Sequence, residues 1–315
     1  MEQKEVIAQI KRLKEEKNAV ILGHYYQRNE IQDIADFVGD SLQLSQEAAR
    51  TNAAIIVFAG VHFMAETAKI LSPGKKVLIP DPEAGCSLAD SCKAEDFEKF
   101  IKQYPNHTVI SYVNTTAEVK ALTDICCTSS NAIQIVNSLP KDEKIIFAPD
   151  RNLGNYIKGI TGRENMVIWD GACHVHEEFS VERIVELKKQ YPKAKVLAHP
   201  ECKKVVLILA DFIGSTAALL NFSKKDNTDT YIIATESGIL HQMQKANPGK
   251  TFIPAPPVDA TCGCNDCKYM KMITLDKIYQ SLLTEQPEVI IEEGLRKKAE
   301  KSIVRMLEIS EKLGL

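Results

Sequence analysis

The residues with chemistry to offer are a set of unpaired cysteines and a set of polar residues that end short apolar runs. The chain has nine cysteines in 315 residues. Cys86 and Cys173 have no close-spaced partner, since Cys92 stands six residues from Cys86, and a further group follows as Cys262, Cys264 and Cys267. Zinc sites are commonly built from C-x-x-C pairs. Solitary thiolates from distant loops instead fit an iron–sulfur cluster held where those loops meet. Such clusters usually take four thiolates, so a set of three leaves one iron open to act as a Lewis acid. Cys264 and Cys267 form one C-x-x-C, which keeps a disulfide or redox role open for that group. Cys126 and Cys127 lie in an apolar run and read as core, while Cys92 and Cys202 have no assignable role. His107 and His174 read as surface or structural residues.

The polar set recurs at fixed intervals. Val20–Leu22 leads to His24, Tyr25 and Tyr26; Val109–Ile110 leads to Tyr112 and Asn114; Val196–Leu197 leads to His199 and Glu201. His24, Tyr112 and His199 are 88 and then 87 residues apart. A second landmark keeps the same offsets: Asp36 to Ser41, Asp124 to Ser129 and Asp211 to Thr216. A third apolar run recurs at 55–59, 145–148 and 231–234, and a fourth at 77–80, 166–169 and 251–254, each fourth run preceding a cysteine loop. Repeats of this kind indicate one unit used several times. Ile31, Ile34, Ala35 and Val38 show helical spacing between the strand-like runs. Strand and helix in alternation imply parallel strands with right-handed crossovers. The expected fold is therefore α/β: three pseudo-threefold-related, three-layer α/β/α domains with parallel sheets and the active site at their central junction. The expected boundaries are an N-terminal helix at 1–16, repeats at 17–105, 106–192 and 193–280, and C-terminal helices at 281–315, a charged tail packed on the outside.

Ligands of open parallel sheets collect beyond the carboxyl ends of the strands. A threefold arrangement with those ends inward brings together His24, Tyr26, Tyr112, Asn114, His199 and Glu201, rimmed by Ser41, Ser129 and Thr216. Each of these three hydroxyls precedes a helical segment, so it either caps that helix or, with free N–H groups, binds phosphate or carboxylate.

Bulk properties narrow the field. Hydrophobic residues are 44%, charged residues 26% and the formal charge is −3, which favours neither a nucleic-acid partner nor a polyanion. The apolar runs are far shorter than a membrane span. The first residues read as an amphipathic helix, not a signal peptide, so a cytoplasmic protein is expected. No Gly-rich dinucleotide or P-loop motif appears in a strand–turn–helix context.

The motifs carry a family resemblance over about residues 18–275. They include Gly23-His24-Tyr25-Tyr26-Gln27, Gly39-Asp40-Ser41, the run from Phe58 to Leu71, Gly85-Cys86-Ser87-Leu88-Ala89-Asp90 and Tyr112-Val113-Asn114. They continue with Cys127 to Ala132, Pro149-Asp150, Trp169 to His176, His199-Pro200-Glu201-Cys202, Gly214-Ser215-Thr216, Thr235-Glu236-Ser237-Gly238 and Cys267 with Met270 and Met272. The chain thereby resembles the quinolinate synthase family. The resemblance implies condensation of iminoaspartate with dihydroxyacetone phosphate to quinolinate, phosphate and water, on the de novo route to NAD. It implies one [4Fe-4S] cluster per chain, held by one cysteine per domain; by position these look like Cys86, Cys173 and Cys267. Family members often show C-x-x-C-x-x-C where this chain has Cys262-Gly263-Cys264-Asn265-Asp266-Cys267, one residue short. It also implies an aspartate oxidase or dehydrogenase as supplier of iminoaspartate. The alternative is another [4Fe-4S] hydro-lyase acting on a small hydroxy acid.

Ring closure needs a positioned acid and base. Glu201, with a pKa expected to be raised by burial, and Tyr26 are the expected pair. His24 and His199 suit phosphate binding or proton transfer. Tyr112 and Asn114 are expected to orient a carboxylate, and Ser41, Ser129 and Thr216 to bind phosphate and carboxylate.

Overall fold

A computed structural model describes residues 2–259 and 265–315. Its strands, in chain order, are β1 (Ala19–His24), β2 (Phe37–Gly39), β3 (Ile55–Ala59), β4 (Lys76–Leu78), β5 (Thr108–Tyr112), β6 (Ile125–Cys127), β7 (Ile145–Ala148), β8 (Met166–Ile168), β9 (Lys195–Ala198), β10 (Phe212–Ile213), β11 (Thr230–Ala234) and β12 (Thr251–Pro254). They form three four-stranded sheets, ordered β2-β1-β3-β4, β6-β5-β7-β8 and β10-β9-β11-β12. Every pairing is parallel. The α/β architecture expected from the repeated landmarks is thus present three times.

Register agrees as well as order. Leu22 pairs with Phe37, Ile110 with Ile125 and Leu197 with Phe212, an offset of 15 in each sheet. The repeated aspartates account for this. Asp36 accepts the N–H of Ile21 at 2.7 Å, Asp124 that of Val109 at 2.8 Å and Asp211 that of Val196 at 2.7 Å. Each aspartate also returns its own N–H to the same residue's carbonyl. The side chain therefore pairs the backbone where the edge strand has not yet begun, and fixes the register of the short second strand.

The strands are apolar throughout because helices cover both faces. One face of the first sheet is covered by helices Gln3–Glu16 and Leu275–Thr284, with Val6, Ile10, Leu13, Ile278 and Leu282 buried against Ile21, Ile55 and Val57. Cys126 and Cys127 are fully buried in β6. Among the described residues, no helix is long and apolar enough to cross a membrane.

The C-terminal helix Glu293–Lys312 departs from the expectation of a tail on the outside. Its Ala299, Ile303 and Met306 are fully buried in a core that also holds Ile70 of the first repeat and Ile110, Ile125 and Ile135 of the second. Ser302 donates to the carbonyl of Lys120 at 3.0 Å, and Arg296 to that of Ile70 at 3.2 Å. The buried stripe mixes Ala299, Ile303 and Met306 with Arg296, Ser302 and Ser310, whose polar atoms satisfy carbonyls, and the lysines and glutamates lie mostly on the other face.

Candidate functional site

Polar side chains that follow the inner strands of all three sheets meet in one cavity. All twelve residues singled out from the sequence line it: His24, Tyr26, Ser41, Cys86, Tyr112, Asn114, Ser129, Cys173, His199, Glu201, Thr216 and Cys267. Its volume is about 60 Å³, well below the ~300–1,000 Å³ of typical small-ligand sites, so the walls stand close together in this structure.

The histidines are built alike. The N–H of Tyr26 donates to His24 Nδ1 at 3.1 Å, and the N–H of Glu201 to His199 Nδ1 at 3.4 Å. Nδ1 is therefore the acceptor, which assigns the proton of the neutral ring to Nε2. Burial, with His199 next for His24, lowers the pKa of both rings to about 3. At neutral pH each is an uncharged N–H donor.

Glu201 is almost fully buried, and Tyr112 Oη donates to its Oε1 at 2.6 Å. His176 Nδ1 stands 3.2 Å from Oε2, outside hydrogen-bonding alignment, and the His176 and His199 rings stack at 4.8 Å. Burial raises the pKa of Glu201, but His176 and the Tyr112 hydroxyl outweigh it and hold the carboxyl below its ordinary range. The expectation of a raised pKa is overturned, because His176, from the second repeat, lies against a carboxylate of the third. Tyr26 Oη lies 2.9 Å from Thr216 Oγ1 and 2.6 Å from Thr235 Oγ1, and Thr235 Oγ1 lies 3.0 Å from His176 Nε2. Burial and then Glu201 push the Tyr26 phenol well above its ordinary range. A polar chain thus runs Tyr26–Thr235–His176–Glu201–Tyr112.

Ser41, Ser129 and Thr216 do not cap helices. Asp40 caps Ser41–Arg50 with a reciprocal capping box, and Ser215 caps Thr216–Lys225 through the N–H of Ala218 at 3.3 Å. Helix Ala132–Ser138 has Asn131 at its N-cap position, two residues beyond Ser129. The capping role falls one residue earlier in the first and third repeats, which leaves Ser41 and Thr216 on the first helical turn facing the cavity.

The cysteines stand where turns present backbone N–H groups. Cys86 precedes helix Ser87–Asp90 and Cys173 precedes His174–Glu177, while Cys267 leads into the 3₁₀ turn Met270–Met272. Neighbouring backbone N–H groups, of Ala89 and Leu88 at Cys86, of His176 at Cys173 and of Met270 and Tyr269 at Cys267, favour the thiolates. Burial still pushes the thiols up, to about 12 for Cys86 and about 11 for Cys267. Three cysteines on one cavity, each at the start of a turn, form a donor set that fits an iron–sulfur cluster. Cys173, His176 and Glu201 also offer ligand atoms within 4.8 Å of one another, enough for a single metal ion. Cys262 and Cys264 lie outside the described residues.

Sequence reasoning placed His176, Thr235, Asp150 and Glu236 in motifs but gave them no role in the site; all four are buried. Thr235, Asp150 and Glu236 follow the ends of β11 and β7, and that position was the available signal. His174, set aside as structural, lines the cavity with Nδ1 2.7 Å from Ser87 Oγ.

The family model for quinolinate synthetase A protein matches residues 8–308. The quinolinate synthase of Thermosynechococcus vestitus is 61% identical over 306 residues, covering 97% of this chain and 96% of that protein. That of Microcystis aeruginosa is 61% identical over 301 residues, with 96% and 94% covered. That of Chloroherpeton thalassium is 56% identical over 310 residues, with 98% and 96% covered. The chain belongs to the quinolinate synthetase A family.

Proposed function

We propose that this chain condenses iminoaspartate with dihydroxyacetone phosphate to give quinolinate, phosphate and water, on the de novo route to NAD in the cytoplasm. The observation that carries the reading is the cavity in which Cys86, Cys173 and Cys267, one from each repeat, meet the polar strand-end residues of all three repeats. Cys86, Cys173 and Cys267 would hold a [4Fe-4S] cluster. When bound, it supplies an iron without a protein ligand, a Lewis acid for a substrate hydroxyl or carboxylate.

The protein's own groups divide the remaining work. Ser41 and Thr216, on first helical turns, and Ser129 offer hydroxyls and N–H groups to phosphate and carboxylate. His24 and His199 add uncharged Nε2–H donors. Tyr112, held by Glu201, and Asn114 orient a carboxylate. Asn114 Oδ1 is buried without a partner, so it is left to accept from a ligand. Tyr26 and Glu201 lie on one polar chain with Thr235 and His176 between them, and alignment of the His176–Glu201 step would suit proton movement across the pocket. Tyr26 stays protonated and can donate; Glu201 stays ionised and can accept. An aspartate oxidase or dehydrogenase would supply the iminoaspartate.

The test is anaerobic reconstitution with iron and sulfide, then product analysis with oxaloacetate, ammonia and dihydroxyacetone phosphate. Brown protein that forms quinolinate and releases phosphate supports the reading. Brown protein that dehydrates a hydroxy acid without dihydroxyacetone phosphate favours a plain hydro-lyase. Colourless protein carrying one zinc ion favours the single-metal site at Cys173, His176 and Glu201.

A further inference from the structure

In each sheet the inner strand that precedes the cysteine strand ends beside the cysteine loop. β3, β7 and β11 pair with β4, β8 and β12, whose following loops carry Cys86, Cys173 and Cys267. The residue two positions beyond the inner strand is Val61 in the first repeat, Asp150 in the second and Glu236 in the third. Both acids are fully buried.

The two carboxylates are used in the same way. Asp150 accepts the N–H of Leu153 on Oδ1 at 2.7 Å and the N–H of Cys173 on Oδ2 at 3.3 Å. Glu236 accepts the N–H of Gly238 on Oε2 at 2.7 Å and the N–H of Cys267 on Oε1 at 3.0 Å. One oxygen closes the acid's own turn, and the other holds the backbone of the cysteine. A backbone bond does similar work in the first two repeats: His62 N–H to Ala84 carbonyl at 2.7 Å, and Arg151 N–H to Gly171 carbonyl at 2.8 Å. Both carbonyls lie two residues before the cysteine. Gly171 is required there, because a Cβ would come 2.5 Å from the Pro149 carbonyl. The first repeat thus uses the backbone bond, the third the carboxylate and the second both.

Glu236 has the most to hold. The first two cysteines run into helical turns, whereas Cys267 leads only into a 3₁₀ turn. Lys271 completes the attachment: its Nζ lies 2.7 Å from Glu236 Oε1 and donates to the Tyr26 carbonyl at 2.7 Å. Arg28 donates to the Lys271 carbonyl at 2.8 Å. The turn bearing Cys267 is thereby tied to the first and third repeats together.

We propose that Asp150 and Glu236 are equivalent positioning residues that fix Cys173 and Cys267 through their backbone N–H groups. The inference rests on the functional reading of those cysteines as cluster ligands. An amide cannot replace either carboxylate, because both oxygens accept and an amide offers one acceptor and a donor.

The test uses the reconstituted holoprotein as wild type, Asp150→Asn, Glu236→Gln and Glu66→Gln. Glu66 is a buried carboxylate that accepts the N–H of Ala117 at 3.1 Å and not the N–H of a cysteine. Cluster loss to an iron chelator is followed anaerobically by visible absorbance, with thermal unfolding recorded in parallel. Loss of a supporting partner typically weakens a metal site about 10–100-fold, so chelation should be about tenfold faster in Asp150→Asn and Glu236→Gln. Glu66→Gln should lower stability and leave the chelation rate unchanged. Asp150 also caps helix Arg151–Thr161; should its variant fail to fold, Glu236→Gln carries the test alone. Chelation within about twofold of wild type, or equal acceleration in Glu66→Gln, overturns the proposal. Wild-type protein that takes up no cluster overturns the functional reading, and this inference with it.

Discussion

Glu201→Gln keeps the shape of the buried side chain and removes its charge. The carboxylate has Tyr112 Oη 2.6 Å from one oxygen and His176 Nδ1 3.2 Å from the other, with His199 Nδ1 at 3.6 Å. Glutamine has one acceptor. If it receives the Tyr112 proton, its NH₂ turns toward the imidazoles; if it reverses, the NH₂ meets the Tyr112 hydroxyl. A hydrogen bond to a charged group contributes about 1.5–3 kcal/mol, or roughly 10–150-fold at about 1.4 kcal/mol per decade. Loss of a proton acceptor in the transition state removes about 10²–10⁴-fold. Because both act through one carboxylate, the larger figure sets the scale, and kcat/KM should fall by at least about a hundredfold. Visible absorbance of the reconstituted protein should persist, since the cysteines are untouched. The apo-protein gives an independent check. The pKa of Glu201 lies at about 2 in the folded chain against 4.5 unfolded, so its stabilisation is present above 4.5 and is lost as pH falls through 2. Wild type should therefore be more stable than the variant in urea at pH 6, and the gap should close on acidification. Near-wild-type kcat/KM with the cluster retained refutes the catalytic reasoning. A gap that widens in acid refutes the electrostatic part.

Cys173→Ala and Cys267→Ala should each lose the visible absorbance of reconstituted protein, whereas Cys126→Ala, altering a buried strand residue, should keep it; equal absorbance in all three would remove the ligand assignment. Tyr26→Phe breaks the bridge between Thr216 and Thr235 and should lower kcat by about 10²-fold or more with a smaller change in KM, read in steady-state assays; an unchanged kcat removes Tyr26 from proton transfer. Ile303→Ala should cost about 2–4 kcal/mol in urea unfolding, because the C-terminal helix is a shared core element of the first two repeats; a cost below about 0.5 kcal/mol, the range of surface substitutions, would mean an appendage.

The fold was legible because parallel pairing converts sequence offset into spatial position. Once Asp36, Asp124 and Asp211 stood at equal distance from His24, Tyr112 and His199, the same strand order had to recur, and the side-chain bonds to Ile21, Val109 and Val196 show why the aspartates keep that spacing. The meeting of the strand ends followed from the same geometry. The packing of Glu293–Lys312 was hidden because its inward stripe includes Arg296, Ser302 and Ser310, whose polarity is spent on the carbonyls of Ile70, Lys120 and Met306.

What stayed hidden in the site depends on contacts between repeats, which no single repeat encodes. Glu201 alone, as a buried carboxylate, calls for a raised pKa. Its value is set by His176, which lies after a cysteine in a different repeat and has no counterpart at that position in the other two. Thr235 is likewise ordinary as a strand-end residue until Tyr26 of the first repeat and His176 of the second reach it from two sides. The repeat predicts where a cavity forms; the differences between copies decide what each wall of it does. Val61, Asp150 and Glu236 make the point most directly, since one backbone position carries no acceptor, one a short carboxylate and one a longer carboxylate with a lysine, in step with how much support the neighbouring cysteine turn lacks.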